Sequence, residues 1–200
     1  MYTETEVKFH VKNLDTLAAQ LEVLGATLES PRTHEMNLRF DTPAGTLSSK
    51  ACVLRLRQDT QSKLTFKGTS HVTDGVLSRK EIEFTVSDFD AAQRFLEALG
   101  YSVVAVYEKF RTTYQLNDLQ IMLDEMPYGD FIEIEGESVA AVQTLAEQLS
   151  LDSSKAIKMS YLEIFDLLCS VEGFDMDNLT FDALSNKRFD FKKIAILSAD

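Results

Sequence analysis

The sequence predicts an α+β domain whose antiparallel sheet curls with its charged face inward and carries helices outside. Three observations predict it. Eight segments alternate charged and apolar residues at the two-residue period of a strand. A strand–helix–glycine unit occurs twice, at an offset of 75 residues. The composition suits one folded domain, with 200 residues, 44% of them hydrophobic, enough to bury a substantial core without splitting.

The first strand holds Glu4, Glu6 and Lys8 on one face and Thr5, Val7 and Phe9 on the other. A helix follows over Leu14–Leu24, closed by Gly25. Asn37-Leu38-Arg39-Phe40-Asp41 alternates again and runs into the turn Asp41-Thr42-Pro43. Val53-Leu54-Arg55-Leu56-Arg57 sets two arginines against two leucines, and Lys63-Leu64-Thr65-Phe66-Lys67 does the same with lysines. The segment 68–75 reads as a loop by composition, either a plain hairpin connection or a mobile flap. Arg79, Glu81 and Glu83 align opposite Ile82 and Phe84.

The second helix spans Asp88–Leu99 and ends at Gly100. Glu6-Val7-Lys8-Phe9-His10-Val11 matches Glu81-Ile82-Glu83-Phe84-Thr85-Val86, and the offset holds to Gly25 and Gly100. Lys109-Phe110-Arg111, Ile121-Met122-Leu123-Asp124 and Ile132-Glu133-Ile134-Glu135 supply the remaining alternating strands. Tyr128-Gly129-Asp130 reads as the turn before the last. A helix near Ser138–Leu149 echoes the repeat without its glycine, and a final helix is expected over Ser153–Cys169. Residues 171–200 hold too many large apolar side chains for a free tail, so this extension is expected to pack on the 1–170 domain or on a partner subunit.

For any one strand the ordinary reading is a half-buried surface strand with its charges in solvent. Across the set, Arg and Glu occupy nearly every polar step, where solvent-facing strands mix in Thr, Ser and Gln. A charged face turned inward would hold an anion on its bases and a cation on its carboxylates, because buried charges persist when paired or metal-bound.

The net charge of −12 argues against nonspecific nucleic-acid binding. No run of 18 apolar residues marks a membrane span, and the first motif, at residue 4, leaves no room for a leader. Cys52 and Cys169 do not make a disulfide framework, so a cytoplasmic chain is expected. His10, His34 and His71 lack metal-ligand spacing and read as ordinary polar residues. Cys52 reads as a packed thiol.

Taken in order, the Glu-x-Glu-x-Lys opening, Arg55-x-Arg57, Lys67, Lys109-x-Arg111, Asp124 and Glu133-x-Glu135 resemble the CYTH superfamily, the triphosphate tunnel metalloenzymes, over about residues 2–165. The family includes class IV adenylate cyclases, thiamine triphosphatases and tripolyphosphatases. The resemblance implies an eight-stranded antiparallel closed β-barrel with helices packed outside. It implies a phosphate cradle of Arg39, Arg55, Arg57, Lys67, Lys109 and Arg111, joined by Lys8, Arg79 and Lys158, since guanidinium forks match phosphate oxygens. It implies Mg²⁺ or Mn²⁺ on Glu4, Glu6, Asp124, Glu133 and Glu135, because these ions take carboxylate oxygens and bridge phosphates. Glu81 and Glu83 would complete a second metal site or pair with arginines. Glu4, Glu6 and Lys8 are the catalytic candidates.

Three functions are compatible with such a face. The favoured one is hydrolysis of tripolyphosphate or a related triphosphate, which needs only water. The absence of tryptophan removes the best platform for stacking a thiazolium ring and lowers thiamine triphosphate as substrate. An adenylate cyclase making cyclic AMP and pyrophosphate from ATP would use the same cradle. A non-catalytic polyphosphate- or nucleotide-binding module would need the bases alone, and the five carboxylates speak against it. A homodimer is compatible with the acidic composition.

Overall fold

The computed structural model describes residues 5–73, 76–174 and 178–200, and the side chains among these except those of 70–79. Nine strands and five helices follow in the order β1 (Thr5–Val11), α1 (Leu14–Val23), β2 (Thr27–Asp41), β3 (Val53–Gln58), β4 (Ser62–Thr73), β5 (Val76–Val86), α2 (Phe89–Ala98), β6 (Ser102–Leu116), β7 (Leu119–Met126), β8 (Gly129–Gly136), α3 (Val139–Gln148), α4 (Tyr161–Glu172), β9 (Asn178–Leu179) and α5 (Phe181–Leu184). The sheet order is β1-β8-β7-β6-β2-β3-β4-β5, and the short β9 lies parallel against β6.

Parity sorts the faces. Val7, Phe9, Val11, Ile121, Leu123, Ile132 and Ile134 pack with α1 and α3 on the outer side of β1, β8 and β7. Leu38, Phe40, Leu54 and Leu56 meet Phe89 and Leu96 of α2 on the same outer side of β2 and β3. The three helices start alike, with Asn13, Asp88 and Ser138 each accepting a backbone N–H of the first turn. After α1 and α2 the chain reverses through Gly25 (φ 87°) and Gly100 (φ 90°). Ser150 takes the same left-handed turn after α3 at φ 59°, which explains a third repeat lacking its glycine.

The sheet is not a closed barrel. Among the described residues, β1 and β5 are its two ends and do not pair. The reason lies at the outer edge of β1, where other segments already use the backbone groups. Ile157 N–H donates to Lys8 O at 2.8 Å, and Ala199 N–H donates to His10 O at 3.0 Å. The Asp200 carboxylate accepts from Lys12 N–H at 3.0 Å. An edge so capped offers no ladder to a further strand. At the other end β5 leaves Ile82 and Phe84 about half exposed on the outer face.

Two local expectations also change. Residues 68–73 continue β4 instead of looping, with a register shift between Lys67 and Ser70, while Asp74 and Gly75 lie outside the described residues. The final helix starts only at Tyr161, because Ser160 and Glu163 form a reciprocal capping box there. Upstream, Ser153–Lys155 makes a single 3₁₀ turn and Ile157 bridges to β1.

Beyond α4 the chain returns to the same cluster. Leu179, Leu184, Phe189, Phe191, Ile194 and Ile196 pack with Phe165 and Leu168 of α4 and with Phe131. No helix among the described residues is long and apolar enough to cross a membrane.

Candidate functional site

The inner face of the sheet is a ladder of opposite charges. Its centre is Asp124 on β7, which has no solvent exposure. Arg111 on β6, its direct register partner, holds both carboxylate oxygens, Nε to Oδ1 at 2.6 Å and Nη2 to Oδ2 at 2.5 Å. Oδ2 also accepts from Tyr161 Oη at 2.7 Å and Lys109 Nζ at 3.2 Å. Burial alone would raise the pKa of Asp124, but Arg111 and Lys109 outweigh it and hold the carboxyl well below its ordinary range. Burial likewise lowers the pKa of Arg111, and Asp124 and Glu133 drive it well above normal.

Two arms extend from this centre. Toward β1, Arg111 Nη2 reaches Glu133 Oε2 at 2.6 Å, and Glu133 Oε1 meets Lys8 Nζ at 3.1 Å. Lys8 also lies 4.1 Å from the ring centre of Tyr161. Toward β3, Lys109 Nζ lies 3.5 Å from Glu35 Oε2, and Glu35 Oε1 lies 3.8 Å from Arg57 Nη1. Glu83 on β5 then gathers Lys63 at 3.2 Å, Arg55 at 3.7 Å and Arg57 at 3.9 Å. Lys67 pairs with Glu81 at 3.0 Å. Burial pulls the pKa of Arg55 down, but Tyr107, Glu35 and Glu83 raise it overall, so its charge is secure.

The structure thus brings Lys8, Arg55, Arg57, Lys67, Lys109, Arg111, Asp124, Glu133, Glu81 and Glu83 to one face. Arg39 shares it, in register with Arg55. On α4 the hydrogen bonds with Ser160 first, and the charge of Arg39 after them, lower the pKa of Glu163, whereas burial and Glu163 raise that of Asp166 against the pull of Arg39. Lys158 stands apart: it is exposed, and it makes no ion pair within 4 Å among the described residues. Arg79 is in register with Ser70, but its side chain lies outside the described residues, and so does all of Glu4.

Asp124 and Glu133 are held by guanidinium and ammonium groups, which leaves them as anchors for bases. Glu6 and Glu135 lie directly opposite one another on β1 and β8 near the open end of the ladder. Two adjacent carboxylates are an oxygen-donor pair of the kind Mg²⁺ and Mn²⁺ take. Among the described residues no group of three or more His, Cys, Asp or Glu side chains forms a metal site. The donor chemistry of Glu6 and Glu135 fits a hard cation, and the carboxylates of Asp124 and Glu133 do not fit while Arg111 holds them.

Several residues on this face carry no mark in the sequence. Glu35, Asn37, Tyr107 and Tyr161 all belong to it, and Glu35 bridges the two halves of the ladder. The signal for Glu35 and Asn37 is parity, since each sits two residues from the next inward side chain on β2. Tyr161 has none, because it enters from a helix. His10 is stacked on Phe191 with ring centres 4.0 Å apart, and its pKa is lowered, by burial first.

A sequence model of the CYTH domain matches residues 2–161. A curated protein from Aeromonas hydrophila, adenylate cyclase CyaB, is 25% identical over 170 residues, covering 79% of this chain and 86% of that protein. A solved Vibrio parahaemolyticus protein described as a putative adenylate cyclase shares the fold at a TM-score of 0.72 and 24% identity, over 82% of this chain and 98% of that one. A Hippeastrum protein, described as a putative adenylyl cyclase with a dominant triphosphatase activity, superposes at a TM-score of 0.61 and 17% identity, over 88% of this chain and 98% of that one.

Proposed function

The chain belongs to the CYTH domain family, and from that premise we propose that it is a metal-dependent phosphoryl-transfer enzyme that hydrolyses a triphosphate held on the inner face of its sheet. One observation carries the reading: Arg39, Arg55, Arg57, Lys63, Lys67, Lys109 and Arg111 lie on one face of the consecutive strands β6, β2, β3 and β4, and Lys8 joins them on the same face from β1. In an acidic chain of net charge −12, that is a local concentration of cations with no role in solubility.

The roles follow from the pairings. Asp124 and Glu133 fix Arg111, Lys109 and Lys8 in place, so these bases need little reorganisation when an anion arrives. Arg39, Arg55 and Arg57 form the other bank and take the far phosphates through their forks. Glu6 and Glu135, with Glu4, would hold Mg²⁺ or Mn²⁺. The ion, when bound, supplies Lewis-acid polarisation of a phosphoryl oxygen. Lys8, beside those carboxylates, neutralises charge developing on the transferred group. Water attacks the terminal phosphorus as its bond to the bridging oxygen breaks, so orthophosphate forms and the rest of the phosphate chain leaves.

A second reading, conversion of ATP to cyclic AMP and pyrophosphate, is favoured by the likeness to the Aeromonas cyclase. Both reactions use the same cradle. The test is a product assay on the purified protein with Mg²⁺ and, separately, Mn²⁺, offering tripolyphosphate, ATP and thiamine triphosphate in parallel. Orthophosphate released chiefly from tripolyphosphate supports hydrolysis. Cyclic AMP with pyrophosphate from ATP overturns it in favour of the cyclase, and no product from any substrate overturns both.

A further inference from the structure

Asn37 sits in the basic half of the inner face with nothing to bind. It has no solvent exposure, and neither Nδ2 nor Oδ1 has a hydrogen-bond partner. Its register partners are Arg57 on β3 and Tyr107 on β6. Glu35 and Arg39 flank it two residues away on the same face. A buried primary amide without partners is unfavourable, and folded proteins rarely leave one. The Nε–H of Arg55, two residues from Arg57 on the same face of β3, is also buried without a partner. Arg57 Nε is likewise buried without a hydrogen-bond partner, so three neighbouring side chains on the face that carries the cations leave polar atoms unsatisfied.

We propose that the Asn37 side-chain amide contacts the substrate directly, with Nδ2 donating to a phosphate oxygen and Oδ1 accepting from a water or hydroxyl beside it. This rests on the reading of the inner face as a triphosphate site. The arginines and lysines around it attract any anion through long, adaptable side chains. Asn37 is short and held by a strand, so it sets position along the phosphate chain. It is also a neutral group that both donates and accepts, unlike the bases around it.

The test measures tripolyphosphate binding by titration calorimetry, with divalent metal withheld so that ligand is not consumed, for the wild type, Asn37→Leu and Arg57→Ala. Leucine has similar volume and removes the orphaned polar atoms. The expected result for Asn37→Leu is binding weakened about tenfold or more, with a Tm equal to or above that of the wild type. Binding within twofold of the wild type overturns the inference, whatever the Tm. If Arg57→Ala loses affinity while Asn37→Leu does not, the inference fails and the triphosphate reading stands. If the wild type binds no tripolyphosphate, both fail. Should Asn37→Leu not fold, the Asn37 side-chain NH₂ resonances of the ¹⁵N-labelled wild type decide. A shift on adding tripolyphosphate supports the contact, and unmoved resonances at saturation overturn it.

Discussion

Arg111 grips both oxygens of Asp124, at 2.6 and 2.5 Å, across a register pair of β6 and β7 that is closed to solvent on the carboxylate side. The carboxylate anchors two bases, Arg111 and Lys109, and accepts from the Tyr161 hydroxyl.

Removing that anchor should be costly. Asp124→Ala leaves Arg111 and Lys109 buried beside each other without their shared counter-ion. A loss of about 3–5 kcal/mol is expected, as for breaking any buried pair from one side. Urea denaturation measures it. If Asp124→Ala unfolds at the wild-type midpoint and loses only metal-dependent turnover, Asp124 is a metal ligand and the anchoring role is wrong.

Glu6 and Glu135 carry the opposite expectation. They face each other in register at the end of β1 and β8, and Glu6 is exposed. Glu6→Gln should leave the melting temperature within a few degrees of the wild type while raising the Mg²⁺ concentration for half-maximal turnover about tenfold or more. Mg²⁺ titrations of initial rate test this. An unchanged Mg²⁺ response would move the ion away from this pair.

Arg55 separates cradle from scaffold on the other bank. It is supported by Tyr107, Glu83 and Thr65, yet its Nε–H stays unpartnered. Arg55→Ala should weaken tripolyphosphate binding about tenfold or more and orthophosphate binding far less, because only the longer anion spans both banks. Competition titrations compare the two ligands. Equal losses would mean that Arg55 holds the sheet together and does not read the phosphate chain.

Much of this face was legible because a strand has one simple rule. Arg55 and Arg57, Lys109 and Arg111, and Glu133 and Glu135 each sit two residues apart, and that alone puts each pair on a common side. The helices were legible through Gly25 and Gly100, which mark their ends. Closure of the sheet was not legible. The groups that cap β1 are Ile157 N–H and Ala199 N–H, which arrive from segments about 150 and 190 residues away with no period to announce them. Nor could charge alone tell an anchor from a ligand. The letters do not show that the Asp124 carboxylate is held by Arg111 and Lys109. Asn37 carries no charge to mark it, although its parity places it on the inward face.

Asp130 offers a test in pH. It is the second residue of β8, directly opposite Glu125, and its pKa is raised to about 6, by burial first and then by the charges of Glu125 and Asp15. The folded state therefore binds this proton more tightly than the unfolded chain, whose carboxyl has an ordinary value near 3.8. The stability linked to that proton is fully present below about pH 4 and is lost as pH rises through about 6. Asp130→Asn keeps a neutral side chain at every pH. It should match the wild type at pH 4 and exceed it at pH 7.5 by about 1 kcal/mol, a figure discounted for the screening of a group that is still partly in water. Urea midpoints at the two pH values decide. A difference that is the same at both would mean that the substitution acts through packing or hydrogen bonding, and that the Asp130 carboxylate is not strained by its neighbours.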